Sequence, residues 1–365
     1  MDKFSPRHFV FLVVATGTVA LKTYPLVFIK DAGKDSWVAV IISSVLITLF
    51  FMFSISTMKL IRENDFLTIY RIALGRRLGT IMALLFVLTC ILTLIESASI
   101  EADGMHENMM VETPNWYFII FFIIVSLYVI RKDLVAVVIT TIIGISMIMF
   151  AGIHLGIMTM QQKEFWMLFP VMKDGITGGF VLAILKSFGM YGFISITLPY
   201  LDAIDDSKIS LKKYSLIALA IVIQMQIVSI TGIFMTFSTE QAEVYYYPKL
   251  IQTHLVSYLQ ILEFGELYVM LQMLVGWILK YLVAFHSIIF IFKFLKIKNA
   301  VIMKLTYVIS GVVLIVSIFL TWTSIRLFNV LQYFPWVALA NFVVIPFFVF
   351  IIYRIRIKRQ NAMNK

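Results

Sequence analysis

The sequence predicts an all-α membrane protein of ten transmembrane helices, arranged as two five-helix repeats of opposite orientation whose first members are broken. Three observations predict it. Hydrophobic residues make up 61% of the 365 positions and charged ones only 14%, with a mean hydropathy of +0.97, well outside the range of a soluble domain. Apolar runs of about 20 residues, the length that crosses a bilayer core, recur ten times. Two of those runs, five apart, carry matching interruptions: Thr16-Gly17-Thr18-Val19-Ala20-Leu21-Lys22-Thr23-Tyr24-Pro25, and Lys186-Ser187-Phe188-Gly189-Met190-Tyr191-Gly192 continuing to Pro199.

The first span is expected at 8–29, after a cytoplasmic start read from Met1, Asp2, Lys3 and Arg7 rather than from a cleaved signal. A second follows at 37–57, closed by Lys59 and Arg62. From Asp65 to Gly75 the apolar residues recur at helical spacing with Arg71 opposite, the pattern of a short helix lying on the inner membrane surface. The third span is 80–103, and the acids from Glu96 through Glu101, Asp103 and Glu107 to Glu112 read as a solvated outer face. Spans four to seven are placed at 115–130, 134–158, 176–199 and 214–237. The last three are placed at 266–292, 301–322 and 328–353, before a basic tail with Arg354, Arg356, Lys358 and Arg359.

Charge sets the orientation. With both termini cytoplasmic, inner segments hold 21 of the 30 Lys and Arg and outer loops hold 6, the asymmetry expected of a membrane protein. The remaining three, Lys22, Lys186 and Lys280, fall within the membrane. An odd-numbered half makes the second repeat enter the membrane from the opposite side, so the interrupted spans 1 and 6 become equivalents in a LeuT-type 5+5 inverted repeat. The domains are then 1–158 for the first repeat, 159–322 for spans 6 to 9, and 323–365 for span 10 and the tail.

Several function classes drop out. The net charge of +10 sits in short loops and orients the chain, so it marks no nucleic-acid surface. A lone Cys90 excludes a disulfide framework, and no His or carboxylate cluster has metal-ligand spacing, so no metal or other cofactor is expected. No nucleophile has an adjacent base, and no loop is long enough to fold a catalytic domain, so the chain is not expected to be an enzyme.

The chain resembles the B subunits of Ger-type spore germinant receptors, the endospore germination permeases of the amino acid–polyamine–organocation superfamily. The resemblance is carried by the Thr16 to Pro25 interruption, the Phe66 to Gly75 helix, Leu168-Phe169-Pro170-Val171, Ser187-Phe188-Gly189 with Leu198-Pro199, and Phe264-Gly265-Glu266-Leu267 before Gly276-Trp277-Ile278. Where many members carry Arg-x-Glu ahead of that tryptophan, this chain has Tyr268 and Met270, with Glu263 and Glu266 nearby. The resemblance implies a subunit in the inner membrane of the spore that senses a nutrient germinant and works with an A subunit and a lipoprotein C subunit. A secondary amino-acid transporter of the same superfamily is the alternative.

Unwound helices expose backbone N–H groups that suit a carboxylate and carbonyls that suit an ammonium. The candidate contacts for a small molecule, with an amino acid foremost, are therefore Thr16, Gly17, Thr18 and Lys22 from span 1 and Lys186, Ser187, Gly189, Tyr191 and Gly192 from span 6. Glycines in membrane helices also serve close packing, which is the competing reading. Lysines in the membrane are costly and need partners. Lys22 and Lys186 fit either a ligand or coupling-ion role, or snorkelling or a structural pair with Glu96; Lys280 is a further intramembrane charge in search of a partner. His154 and His286 read as polar packing contacts.

Overall fold

Helices form nearly all the regular structure of the computed structural model, which describes residues 3–61, 65–254 and 264–363. Met1, Asp2, Arg62 and Glu263 lie outside the described residues. The chain begins with three short helices, α1 (Pro6–Gly17), α2 (Val19–Thr23) and α3 (Leu26–Ala32), the last running on into α4 (Ser36–Met58). Then come α5 (Phe66–Leu74), α6 (Arg76–Asn108), α7 (Asn115–Ile130) and α8 (Leu134–Met158). The next helix, α9 (Gly178–Tyr191), continues as a 3-10 helix over Gly192–Ala203. After it come α10 (Leu211–Phe234), α11 (Thr239–Val244), α12 (Pro248–His254), α13 (Phe264–Phe294) and α14 (Asn299–Leu320). The chain closes with α15 (Ser324–Leu331), α16 (Phe334–Ala338), a π-helical turn over Leu339–Val344, and α17 (Ile345–Met363).

Helix starts follow local chemistry. Side chains of Asp65, Asp133 and Thr177 accept from the backbone N–H of Thr68, Ala136 and Phe180 at 2.7, 2.9 and 3.1 Å, satisfying donors that the first helical turn leaves unpaired. The protein is a multi-pass integral membrane protein. Among the described residues, eight helical stretches are long and apolar enough to cross a membrane. Two of the ten expected spans fall short of that length for different reasons: the first is cut into pieces of 12, 5 and 7 residues, and the fourth is a single helix of 16.

The helix after Asp65 buries its apolar side, Phe66, Leu67, Ile69, Tyr70 and Ala73, against the bundle. Packed between α6 and α17, it comes so close to α6 that a Cβ on Gly79 would stand 2.4 Å from the carbonyl oxygen of Tyr70. The acidic run is only half solvated, because α6 continues to Asn108 and carries Glu96, Glu101 and Asp103 into the interior, leaving Glu107 and Glu112 exposed. Asp103 is satisfied there by the hydroxyls of Tyr247 at 2.6 Å and Ser324 at 2.8 Å.

Phe4 and Arg354, near the two ends of the chain, lie at one end of the bundle. Phe4 pairs with the exit of the 3-10 segment through Phe4 N to Ala203 O at 2.9 Å and Asp205 N to Phe4 O at 3.0 Å. Beside it Lys59 reaches Asp206 at 3.6 Å and the carbonyl of Leu201 at 3.3 Å. Arg354 of α17 donates to Ser56 and Thr57, both at 2.7 Å.

Candidate functional site

The first span is broken twice inside the stretch singled out in the sequence. Between α1 and α2, at Gly17 and Thr18, both carbonyl oxygens accept from one side-chain amide, Gln226 Nε2 of α10, at 2.8 Å each. A Cβ on Gly17 would meet Ile194 of the 3-10 segment at 2.9 Å and Val222 at 3.0 Å, so glycine is what lets span 1 approach its neighbours here. The hydroxyls of Thr16 and Thr18 donate back to carbonyls of their own helix. The second break is at Tyr24, which lies outside helical geometry (φ −127°, ψ 61°) immediately before Pro25. A residue preceding proline is pushed out of the α region, and proline supplies no N–H.

That second break carries Tyr24 into the molecular interior. Its hydroxyl donates to Glu96 Oε1 of α6, and Lys280 Nζ of α13 donates to Glu96 Oε2 at 2.7 Å. Lys280 Nζ also lies 3.4 Å from the ring centroid of Phe193 and 4.9 Å from that of Trp277, whose ring stacks on Tyr24. Aromatic faces stabilise a desolvated cation. The broken first span, α6, α13 and the 3-10 segment thus converge on one buried carboxylate–ammonium pair.

The other lysines find different partners. Lys186 forms an ion pair with Asp31 at 2.6 Å and donates to the carbonyl of Val27 at 3.0 Å. Lys22 donates to Gln272 Oε1 at 3.0 Å and borders a cavity of about 440 Å³. Neither of them is hydrogen-bonded to Glu96.

On the sixth span the α-helix tightens to 3-10 geometry at Gly192 and does not open. Ser187 Oγ lies 2.7 Å from Ser43 Oγ. The glycines serve as contact points for the end of the chain: a Cβ on Gly189 would stand 2.1 Å from the carbonyl oxygen of Pro335, and one on Gly192 would stand 2.9 Å from Val343. Tyr191 is buried, with a hydroxyl that has no partner among the described residues. The structure therefore brings Gly17 against the sixth span at Ile194, while Gly189 and Gly192 turn toward the last span.

A family model described as a spore germination protein (spore permease) matches residues 3–326. The chain belongs to that family. Solved structures similar to this spore germination protein include MhsT in complex with L-phenylalanine, with a TM-score of 0.66 at 12% identity, covering 96% of this chain and 88% of that one. A second is a Na⁺-coupled sialic acid symporter in a substrate-bound outward-open state, with a TM-score of 0.63 at 12% identity, covering 91% and 75%. No curated protein matches the sequence. At that identity the likeness speaks for the fold, which is that of LeuT-type transporters. The spore germination protein is a permease-type membrane protein and not an enzyme.

Several residues of this site escape a reading by charge and glycine alone. Tyr24 and Trp277 stand inside motifs quoted from the sequence without being singled out. Gln226 and Gln272 are amides within predominantly apolar spans, and that placement is the signal that finds them, since a polar group inside a membrane must have a partner. His154 sits on Tyr268 at 3.1 Å, a packing contact between α8 and α13. Among the described residues no group of three His, Cys, Asp or Glu is placed to hold a metal ion.

Proposed function

We propose that this spore germination protein is the nutrient-sensing membrane subunit of a germinant receptor, binding an amino acid near the midplane between its first and sixth spans. The reading includes ten spans in a 5+5 inverted repeat, domains at 1–158, 159–322 and 323–365, both termini cytoplasmic, and residence in the inner membrane of the spore with A and C partner subunits. The observation that carries it is the Gln226 amide on the carbonyls of Gly17 and Thr18. An amino-acid ammonium offers the same kind of donor to the same two oxygens, so Gln226 acts as an internal substitute that the ligand displaces.

Thr16, Gly17, Thr18 and, farther along the span, Lys22 are the first-span contacts in this reading, with Tyr191 contributing a free hydroxyl from the sixth. Lys186, Ser187, Gly189 and Gly192 shape the sixth span through the ion pair and close contacts described above. Displacing Gln226 shifts the first span, and Tyr24 on that span touches Glu96. Ligand binding is thereby coupled to α6 and α13, whose rearrangement partner subunits read. Only a difference in affinity between two such arrangements produces a signal.

The test is Gln226→Leu in spores. Leaving two buried carbonyls without a donor costs about 1–3 kcal/mol in the empty protein, which a ligand ammonium recovers, so the half-maximal germinant concentration should fall by roughly 5-fold or more at equal abundance. An unchanged dose response would remove the assignment. The second reading is an amino-acid transporter, favoured by the likeness to MhsT bound to L-phenylalanine; accumulation of labelled amino acid in vesicles containing the chain alone would establish it.

A further inference from the structure

The cavity of about 440 Å³ bordered by Lys22 lies between α8 and α10, apart from the Tyr24, Glu96 and Lys280 junction. Three ammonium groups line it: Lys22, Lys163, just past the end of the Leu134–Gln162 span, and Lys249 in α12. No aspartate or glutamate stands among the described residues of its wall. Among the described residues these lysines meet neutral acceptors: Lys22 donates to Gln272 and Lys249 to Gln252 at 2.6 Å. Gln272 Nε2, also on the wall, is a buried donor without a partner among the described residues. Burial, then the positive charges of Lys163 and Lys22, depress the Lys249 ammonium to about 7. Positive groups gathered with no counter-charge among the described residues are relieved by an anion.

The rest of the wall is apolar and reaches the outside of the bundle. Ile153, Ile157 and Met160 are 63%, 63% and 66% exposed on one side, and Val228 of α10 is 48% exposed on the other. On membrane spans such residues face acyl chains. Lys163 and Lys249 stand in connections between spans, past the ends of the apolar helices, and the apolar slope runs from them along α8 and α10.

We infer that this cavity binds a bilayer lipid with an anionic phosphate headgroup, the phosphate held by Lys22, Lys163 and Lys249 and an acyl chain laid along α8 and α10. The inference shares Lys22 with the nutrient reading, and the variants that test it, at Lys163, Lys249 and Val228, leave Lys22 in place.

The experiment uses the full chain in phosphatidylcholine nanodiscs doped with phosphatidylglycerol, and measures by mass spectrometry the phosphatidylglycerol that remains bound after detergent extraction. The Lys163→Gln/Lys249→Gln variant should retain about thirtyfold less than the parent, the scale for two lysines facing an anionic headgroup. Lys163→Arg/Lys249→Arg should retain it, Val228→Trp should lose it by filling the slope, and Lys358→Gln in the basic tail should change nothing. Should the glutamine variant fail to fold, the arginine and tryptophan variants decide between them. Equal retention in the parent and in the glutamine or tryptophan variant overturns the inference. So does displacement by soluble glycerol 3-phosphate at the concentrations at which the whole lipid competes, since that identifies a water-borne anion.

Discussion

Glu96 of α6 and Lys280 of α13 meet at 2.7 Å with side chains 2% and 0% exposed. A lone charge at that depth is far more costly than the pair, and breaking a buried pair from one side typically costs about 3–5 kcal/mol. Lys280→Met should therefore lower the melting temperature of the purified protein sharply, or remove it from the membrane. Adding Glu96→Gln should restore much of the loss, because no uncompensated charge remains. A Lys280→Met protein that melts with the parent would show that the pair does not hold these helices.

Tyr24 joins the broken first span to that pair. Replacing it by phenylalanine keeps the stacking on Trp277 and leaves Lys280 on Glu96, so abundance should stay near normal. The loss should appear in the germination response of spores carrying Tyr24→Phe, as a weaker or right-shifted dose curve. A normal curve would separate the first span from any signalling role of Glu96.

At Gly189 the added atom of an alanine would lie 2.1 Å from a backbone oxygen, that of Pro335. Backbone cannot swing aside as a flexible side chain can, so Gly189→Ala should cost about 1–3 kcal/mol or more, read as reduced membrane abundance. Gly17→Ala first meets side-chain methyl groups, those of Ile194 and Val222, and should be milder in abundance. The reverse order would contradict the packing described for the sixth and last spans.

Lys249 gives a pH dependence whose sign runs opposite to that of a salt-bridged lysine. Its ammonium is depressed to about 7 by burial and by the neighbouring Lys163 and Lys22, while an unfolded lysine stays charged to about 10.4. Between those values the unfolded chain holds the extra proton, so stability rises with pH across that window and the gain is absent below about 7. A Lys249→Met protein should lose this slope in melting curves taken from pH 6 to 9. Anion retention in the cavity should weaken over the same rise, as the group that attracts it loses charge.

The properties legible in the sequence are those set by neighbours along the chain. Apolar runs of sufficient length, and the glycines and prolines that interrupt them, identified a membrane protein with a broken first span, because bilayer thickness and backbone geometry act on local stretches; the sixth span, expected to break as well, runs on as a 3-10 helix. Partner choice was decided only by the tertiary structure. Glu96 pairs with Lys280, 184 residues away, and not with Lys22 or Lys186, since which face of a helix meets which neighbour depends on the rotation and crossing of whole helices. The same packing let Gln226 occupy the carbonyls at Gly17 and Thr18, turned Gly189 and Gly192 toward the last span, and buried Glu101 and Asp103. A helix with apolar residues on nearly every side carries little information in its sequence about which side faces inward.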